Sequence, residues 1–461
     1  MKTIRPSDGV QLAAYDEHDG GEVERRLDAA VRAQASWARA DFGERAEPLL
    51  AVADALEGNA PALAELIANE MGKVVREGEA EVRKCALVCR YYAEHGAEQL
   101  RERAIPTEAQ ESFVAHRPLG AVLAIMPWNF PLWQVFRFAA PALMAGNACL
   151  LKHAPNVIGC ALEIERLFDA AGLPAGLFQT LLVDVERVGA LIADRRVAAV
   201  TLTGSTRAGR HVAALAGAAL KPTVLELGGS DPYVVLEDAD LELAARAGAT
   251  SRLLNAGQSC IAAKRFIAVD AIREEFTSLL TARFEQARCG DPFDPASTLG
   301  PIARRDLRDT LARQVEASIA GGARALVGGE APGGPGFYYP PTVLDGVEPA
   351  TPAFEEELFG PVASVLHAVD EAEAIRIANA TTYGLGAAVF TRDLDRGRRI
   401  ALEELQAGSA FVNDFVRSDP RLPFGGIRDS GYGRELSDLG ILSFVNHKTV
   451  VVAAPPGHHP A

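Results

Sequence analysis

From Val23 to about Gln99 apolar side chains recur at helical spacing. Val23, Leu27, Val31 and Trp37 fall near one face, and Val82, Ala86 and Cys89 repeat along the charge-rich stretch Glu77–Gln99. An N-terminal helical layer is predicted. Residues 100–118 break that period with Pro106 and Pro118, and Ser112–His116 between them reads as an extended strand, an excursion from the main body. Short apolar runs then alternate with helix-like segments. Strands are expected at Ala121–Met126, Ala148–Leu151, Phe178–Val183, Ala198–Leu202 and Thr223–Leu227, with helices beginning near Pro131, Val157, Arg187 and Ser205. A second series follows at Tyr233–Leu236, Arg265–Val269, Val362–His367, Ala387–Thr391 and Ser409–Val412. Such alternation predicts parallel, doubly wound sheets, hence two α/β domains. Residues 328–341 read as loop, and the tail 453–461 as frayed.

Composition narrows the class. The chain has 461 residues, 48% hydrophobic and 23% charged, which suits two or three ordered folding units. Its 46 basic and 61 acidic side chains leave a net charge of −15, a field that repels nucleic acid and anionic membranes. The first twenty residues have no apolar core followed by small residues, and no run reaches membrane-spanning length, so a cytoplasmic protein is expected. Six cysteines without CxxC spacing imply reduced thiols and no metal site.

In open α/β sheets, ligands bind beyond the carboxyl ends of the strands. The residues after the predicted strands are Pro127-Trp128-Asn129-Phe130-Pro131, Lys152, Thr203-Gly204-Ser205-Thr206 and Glu226-Leu227-Gly228-Gly229. Gly204-Ser205 lies where a strand turns into a helix, whose first N–H groups suit a pyrophosphate; a glycine that merely closes the turn fits the spacing equally well. Cys260 follows Asn255-Ala256-Gly257-Gln258-Ser259, a segment able to present a thiol to a cleft, although a buried small hydrophobe is the plainer reading.

Taken together, Pro127–Pro131, Gly204-Ser205, Glu226–Gly229, Gly257–Cys260, Glu357-Leu358-Phe359-Gly360-Pro361 and Pro423-Phe424-Gly425-Gly426 stand in the order seen in the aldehyde dehydrogenase superfamily, which the chain resembles from about residue 20 to 450. Lys152–Asn156 and Arg417–Leu422 look like the short bacterial succinate-semialdehyde dehydrogenases. The resemblance implies a Rossmann-type cofactor domain (1–99 and 119–228), an α/β catalytic domain (229–437) and a small β oligomerisation arm with the C-terminal tail (100–118 and 438–461). A homodimer or homotetramer is expected with it. It also implies that Cys260 is the nucleophile, Glu226 the general base and Asn129 an oxyanion donor.

The cofactor implied is NAD or NADP, bound by Trp128, Lys152, Gly204, Ser205, Leu227, Glu357 and Phe359. Pro155 stands where many NAD-preferring relatives carry a glutamate, so nothing there repels a 2′-phosphate and NADP is favoured. For the substrate, Arg137 matches a carboxylate-binding position and Ser418 joins it; the alternative is an arginine paired with an acidic residue across the domain interface. Two departures stand out: Leu254 replaces an arginine found in some longer members, and Ala262 a second cysteine. A small or uncharged aldehyde is the alternative substrate. A cysteine hydrolase or a catalytically silent scaffold is the alternative of another class, though none of the nine histidines sits in a motif that would activate Cys260.

Overall fold

The computed structural model describes residues 1–453. The tail read as frayed lies outside them beyond Ala453. The helical layer consists of Gly20–Trp37, Phe42–Gly58, Ala60–Met71 and Val75–Gln99. Asp41 and Glu44 close a reciprocal capping box that starts the second of these, and Asp19 caps the first. The buried stripe of the first helix is Leu27, Ala30, Ala33 and Trp37, whereas Val31 faces outward at 38% exposure. The small alanines, not the larger valine, let that helix approach its neighbours closely.

Two sheets carry the chain. In the six-stranded sheet the order is Gly431–Tyr432, Thr223–Glu226, Val197–Thr203, Ala121–Met126, Ala148–His153 and Phe178–Thr180. All neighbours are parallel except the two-residue edge strand, which returns antiparallel from late in the chain. The helix Trp133–Met144 lies between this sheet and the helical layer, and every one of its residues is buried. That explains its near-continuous apolar sequence, and makes Arg137 within it a charge removed from water.

The seven-stranded sheet runs Arg324–Val327, Thr342–Asp345, Val362–Ala368, Ala263–Val269, Asp231–Val235, Gly386–Phe390 and Ser409–Val412. Its central strands are covered on both faces: Val234 and Ile267 belong to one buried cluster, Tyr233, Val235, Phe266 and Ala268 to the other. Its first two strands were not predicted. One is an exposed antiparallel edge of four residues and the other follows Pro340-Pro341, so neither shows a clear two-residue period. Residues 328–341 form the loop expected between them.

The excursion is a three-stranded ribbon in which Glu111–Pro118 pairs with Arg103–Ala104 on one side and with Val445–Val452 on the other. Among the described residues no helix is long and apolar enough to cross a membrane. What positions the site is the six-stranded sheet. Ala121–Met126, Val197–Thr203 and Thr223–Glu226 lie side by side, so the segments that follow them open on one edge.

Candidate active site

The helix Leu241–Leu253 ends before Cys260 in three successive left-handed residues, Asn255 (φ 56°), Ala256 (φ 51°) and Gly257 (φ 72°). Such a turn is costly for residues bearing a Cβ and persists only when its surroundings over-determine it. They do so here. The Asn255 N–H donates to Glu77 Oε2 at 2.9 Å, and Asn255 Nδ2 donates to the Asn129 carbonyl at 2.7 Å. The buried Arg252 donates to the carbonyls of Gly257 (2.8 Å), Leu358 (2.9 Å) and Gly360. Lys264 Nζ donates to the carbonyls of Ser259 (3.0 Å) and Cys260 (2.8 Å). Gly257 has no alternative, since a Cβ there would come within 2.2 Å of the Gly360 oxygen.

Cys260 lines two cavities at once. One, of about 250 Å³, is walled by Trp128, Asn129, Thr203, Gly204, Glu357 and Phe359. The other, of about 190 Å³, is walled by residues of helix Val75–Gln99, helix Trp133–Met144 and the segment 415–424. A half-buried thiol between two chambers can react with a group in one while facing a second ligand in the other. Burial pushes the thiol up to about 12; Arg137 and Lys264 oppose that, and Glu357 and Glu226 add to it. The resting thiol is therefore neutral at pH 7, and its activation needs a base.

Asn129 is buried, and its Nδ2 donates to the Gln258 carbonyl at 3.0 Å. Glu226 is sealed from solvent without a hydrogen-bond partner for either carboxylate oxygen among the described residues. Burial, then the charge of Glu435, holds its pKa well above the usual carboxylate range, while Arg137 and Arg434 pull it down. Arg137 itself forms a buried ion pair with Glu435, donates from Nη2 to Thr203 Oγ1 at 3.3 Å and lies over the Phe424 ring at 4.6 Å. Two neighbouring buried carboxylates and one guanidinium thus form a unit suited to holding and passing a proton.

In the larger cavity Trp128 and Phe359 meet edge to face at 5.7 Å. Glu357 Oε1 accepts the Gly229 N–H at 3.1 Å and lies 3.6 Å from Lys264 Nζ. Leu227 packs so closely on the following helix that a Cβ at Gly209 would approach it to 2.5 Å. Ser205, which lines the cavity, caps helix Thr206–Ala218 by accepting the Ala208 N–H, and the N–H groups of Thr206 and Arg207 before it have no helical partners. Lys152 is buried at its strand end with no carboxylate within ion-pairing distance among the described residues, and burial lowers its pKa. It does not wall the cavity, and Pro155 beyond it is exposed. An open glycine-lined floor, unspent helix N–H groups and an unpartnered buried lysine fit a dinucleotide.

The smaller cavity gathers Arg137 and Ser418, as the sequence led us to expect, but Arg137 is paired. It also contains a residue the sequence reading passed over. Lys84 Nζ donates to Ser418 Oγ at 2.7 Å and lies over the Trp133 ring at 4.3 Å. A lysine inside a charge-rich helix ordinarily reads as part of a solvated face, so no local signal marks it. Glu435, Arg252 and Lys264 were missed for the same reason: each works through a partner distant in sequence or through backbone carbonyls.

Residues 1–450 match the family model described as Aldehyde dehydrogenase family. The chain belongs to the aldehyde dehydrogenase family. It is 48% identical to a probable NADP(+) succinate-semialdehyde dehydrogenase of Synechocystis sp., over 98% of this chain and 100% of that one. It is 47% identical to the NAD(P)+ succinate semialdehyde dehydrogenase Sad of Escherichia coli, over 97% of each. A crystal structure of the succinic semialdehyde dehydrogenase of Streptococcus pyogenes with NADP+ superposes with a TM-score of 0.96 at 37% identity, covering 98% of this chain and 100% of that one.

Proposed function

We propose that this protein oxidises succinate semialdehyde to succinate with NAD or NADP, NADP being favoured, through a thioester on Cys260. The observation that carries the reading is the position of Cys260 between two cavities, one fitted to a dinucleotide and the other lined by cations. The high identity to the relatives above supports the substrate. A small cavity, below the roughly 300–1,000 Å³ usual for drug-sized ligands, suits a short aldehyde.

Glu226 takes the Cys260 proton, and Sγ adds to the carbonyl carbon. The oxygen of the resulting thiohemiacetal becomes an oxyanion, met by the Asn129 amide and the Cys260 N–H. When bound, the dinucleotide supplies the two-electron acceptor of the reaction. Trp128, Gly204, Ser205, Leu227, Glu357 and Phe359 would hold it, and Lys152 would serve its adenosine ribose; Pro155 presents no carboxylate to a 2′-phosphate. Once the carbonyl carbon has been oxidised and Glu226 has released its first proton to solvent, Glu226 takes a proton from the water that attacks the thioester; Cys260 leaves as thiolate and regains its proton from Glu226. Arg137 and Ser418 receive the substrate's distant carboxylate, Arg137 through the Nη1 group that neither Glu435 nor Thr203 occupies.

The ribbon of residues 103–118 and 445–452 joins subunits into a dimer or tetramer, its long outer strand Val445–Val452 offering an unpaired edge for that purpose. We place the reaction in the cytoplasm, where six free thiols persist.

Initial rates with succinate semialdehyde and with butanal, each with NAD and with NADP, test the reading. We expect a strong preference for the semialdehyde, with Cys260→Ala abolishing oxidation while coenzyme still binds. Equal rates on both aldehydes would remove the substrate from the proposal and leave the reaction. Absence of coenzyme reduction in every pairing would remove both.

A further inference from the structure

Four cations wall the smaller cavity: Lys73, Lys84, Arg137 and Arg417. Three of them are matched by carboxylates, Lys73 by Glu81, Arg137 by Glu435 and Arg417 by Asp414. Lys84 is not. Among the described residues no carboxylate lies within ion-pairing distance of its ammonium, and the acidic groups whose charge it feels are engaged elsewhere. Glu81 is held by Lys73 and by the N–H groups of Leu132 and Trp133, and Asp419 by Arg421 at 2.7 Å. An ammonium drawn out of water without a counter-ion is expensive unless a ligand supplies one.

Its setting points the charge at the cavity. Glu77, Ala80, Glu81 and Lys84, at the i, i+3, i+4 and i+7 positions of one face of helix Val75–Gln99, all line the chamber that contains Cys260. The Trp133 ring on one side and the Ser418 hydroxyl on the other hold the ammonium in place. Ser418 Oγ accepts from Lys84, so its own proton remains free to donate to an anion.

We propose that Lys84 is the residue that sets specificity for a carboxylate-bearing aldehyde: its ammonium pairs with the substrate carboxylate, and the Ser418 hydroxyl donates to the same group. This rests on the semialdehyde reading above and deepens it. Arg137, its charge already answered by Glu435, adds a hydrogen bond; Lys84 supplies the uncompensated charge.

The test compares wild type, Lys84→Met and Lys84→Arg in two measurements. The first is the ratio of KM for succinate semialdehyde to KM for butanal. The second is the inhibition constant of succinate against butanal. Loss of a hydrogen bond to a charged group predicts a rise of at least about tenfold in both for Lys84→Met, with Lys84→Arg recovering most of it. Unchanged ratio and unchanged inhibition in Lys84→Met would overturn the assignment. If wild type shows no semialdehyde preference yet succinate inhibits it and ceases to inhibit Lys84→Met, the substrate reading falls and the anion site stands. If succinate inhibits neither protein and no preference exists, both fall. Should Lys84→Met not fold, Lys84→Gln takes its place with the same criteria.

Discussion

Arg137 and Glu435 form an ion pair whose side chains are only 2% and 3% exposed, linking the helix Trp133–Met144 to a segment almost three hundred residues later. The pair lies against Glu226, so the charge on Glu435 bears on the proposed general base. The arginine is at once a wall of the substrate cavity and the counter-ion of this acidic pair.

Removing the Glu435 charge lets Glu226 ionise more readily, because the Coulombic repulsion that raises its pKa disappears while Arg137 remains. In Glu435→Gln the acidic limb of the kcat against pH profile is expected to move to lower pH. The same change leaves a buried guanidinium unmatched and should cost on the order of 3 kcal/mol in urea unfolding. A limb that stays in place would show that Glu435 does not tune the base.

The neutral thiol makes a second prediction. With Cys260 pushed up to about 12, the thiolate fraction in the ligand-free protein should rise about tenfold per pH unit. Alkylation by iodoacetamide, followed at Cys260 by peptide mass mapping, should therefore climb from pH 7 to pH 9 without a plateau. A plateau in that range would mean that the resting enzyme already holds a thiolate.

Gly257→Ala strains a left-handed backbone and drives a Cβ into the Gly360 carbonyl. The backbone strain alone is worth about 1–3 kcal/mol, and relief of the contact must move the nucleophile turn or the Glu357–Pro361 segment. We expect a lower urea midpoint together with a loss of at least about tenfold in kcat. An unaltered kcat would show that the turn tolerates displacement.

Lys84 is lowered to about 8, first by burial and then by Arg137, with Cys85, Glu81 and Asp419 opposing. Its charge is present below that pH and is lost as pH rises through it. The ratio of kcat/KM for succinate semialdehyde to that for butanal should accordingly fall above pH 8. Ionisations of Cys260 and Glu226 affect both substrates and cancel in the ratio. Glu77, pushed up to about 7 by burial in the same cavity, loses its proton at lower pH and can produce an earlier, separate step. In Lys84→Met the fall near pH 8 should vanish.

Strand and helix periods are local properties, and the sequence by itself determined most elements of both sheets: Ala121–Met126 and Ser409–Val412 have the expected bounds, and most others shift by one to three residues. Motif order likewise determined the family and brought Cys260, Asn129, Glu226 and Glu357 to attention. Only the tertiary structure decided which charges answer one another. Arg137 meets Glu435, and Lys84 meets Ser418 across 334 positions, because the segment 413–437 folds back over two helices from the first third of the chain. A charge carries no sequence signal of its partner. Whether it ends as a solvated side chain, a sealed ion pair or an open anion site depends on what the fold places beside it, since burial sets the cost and the neighbour sets the compensation.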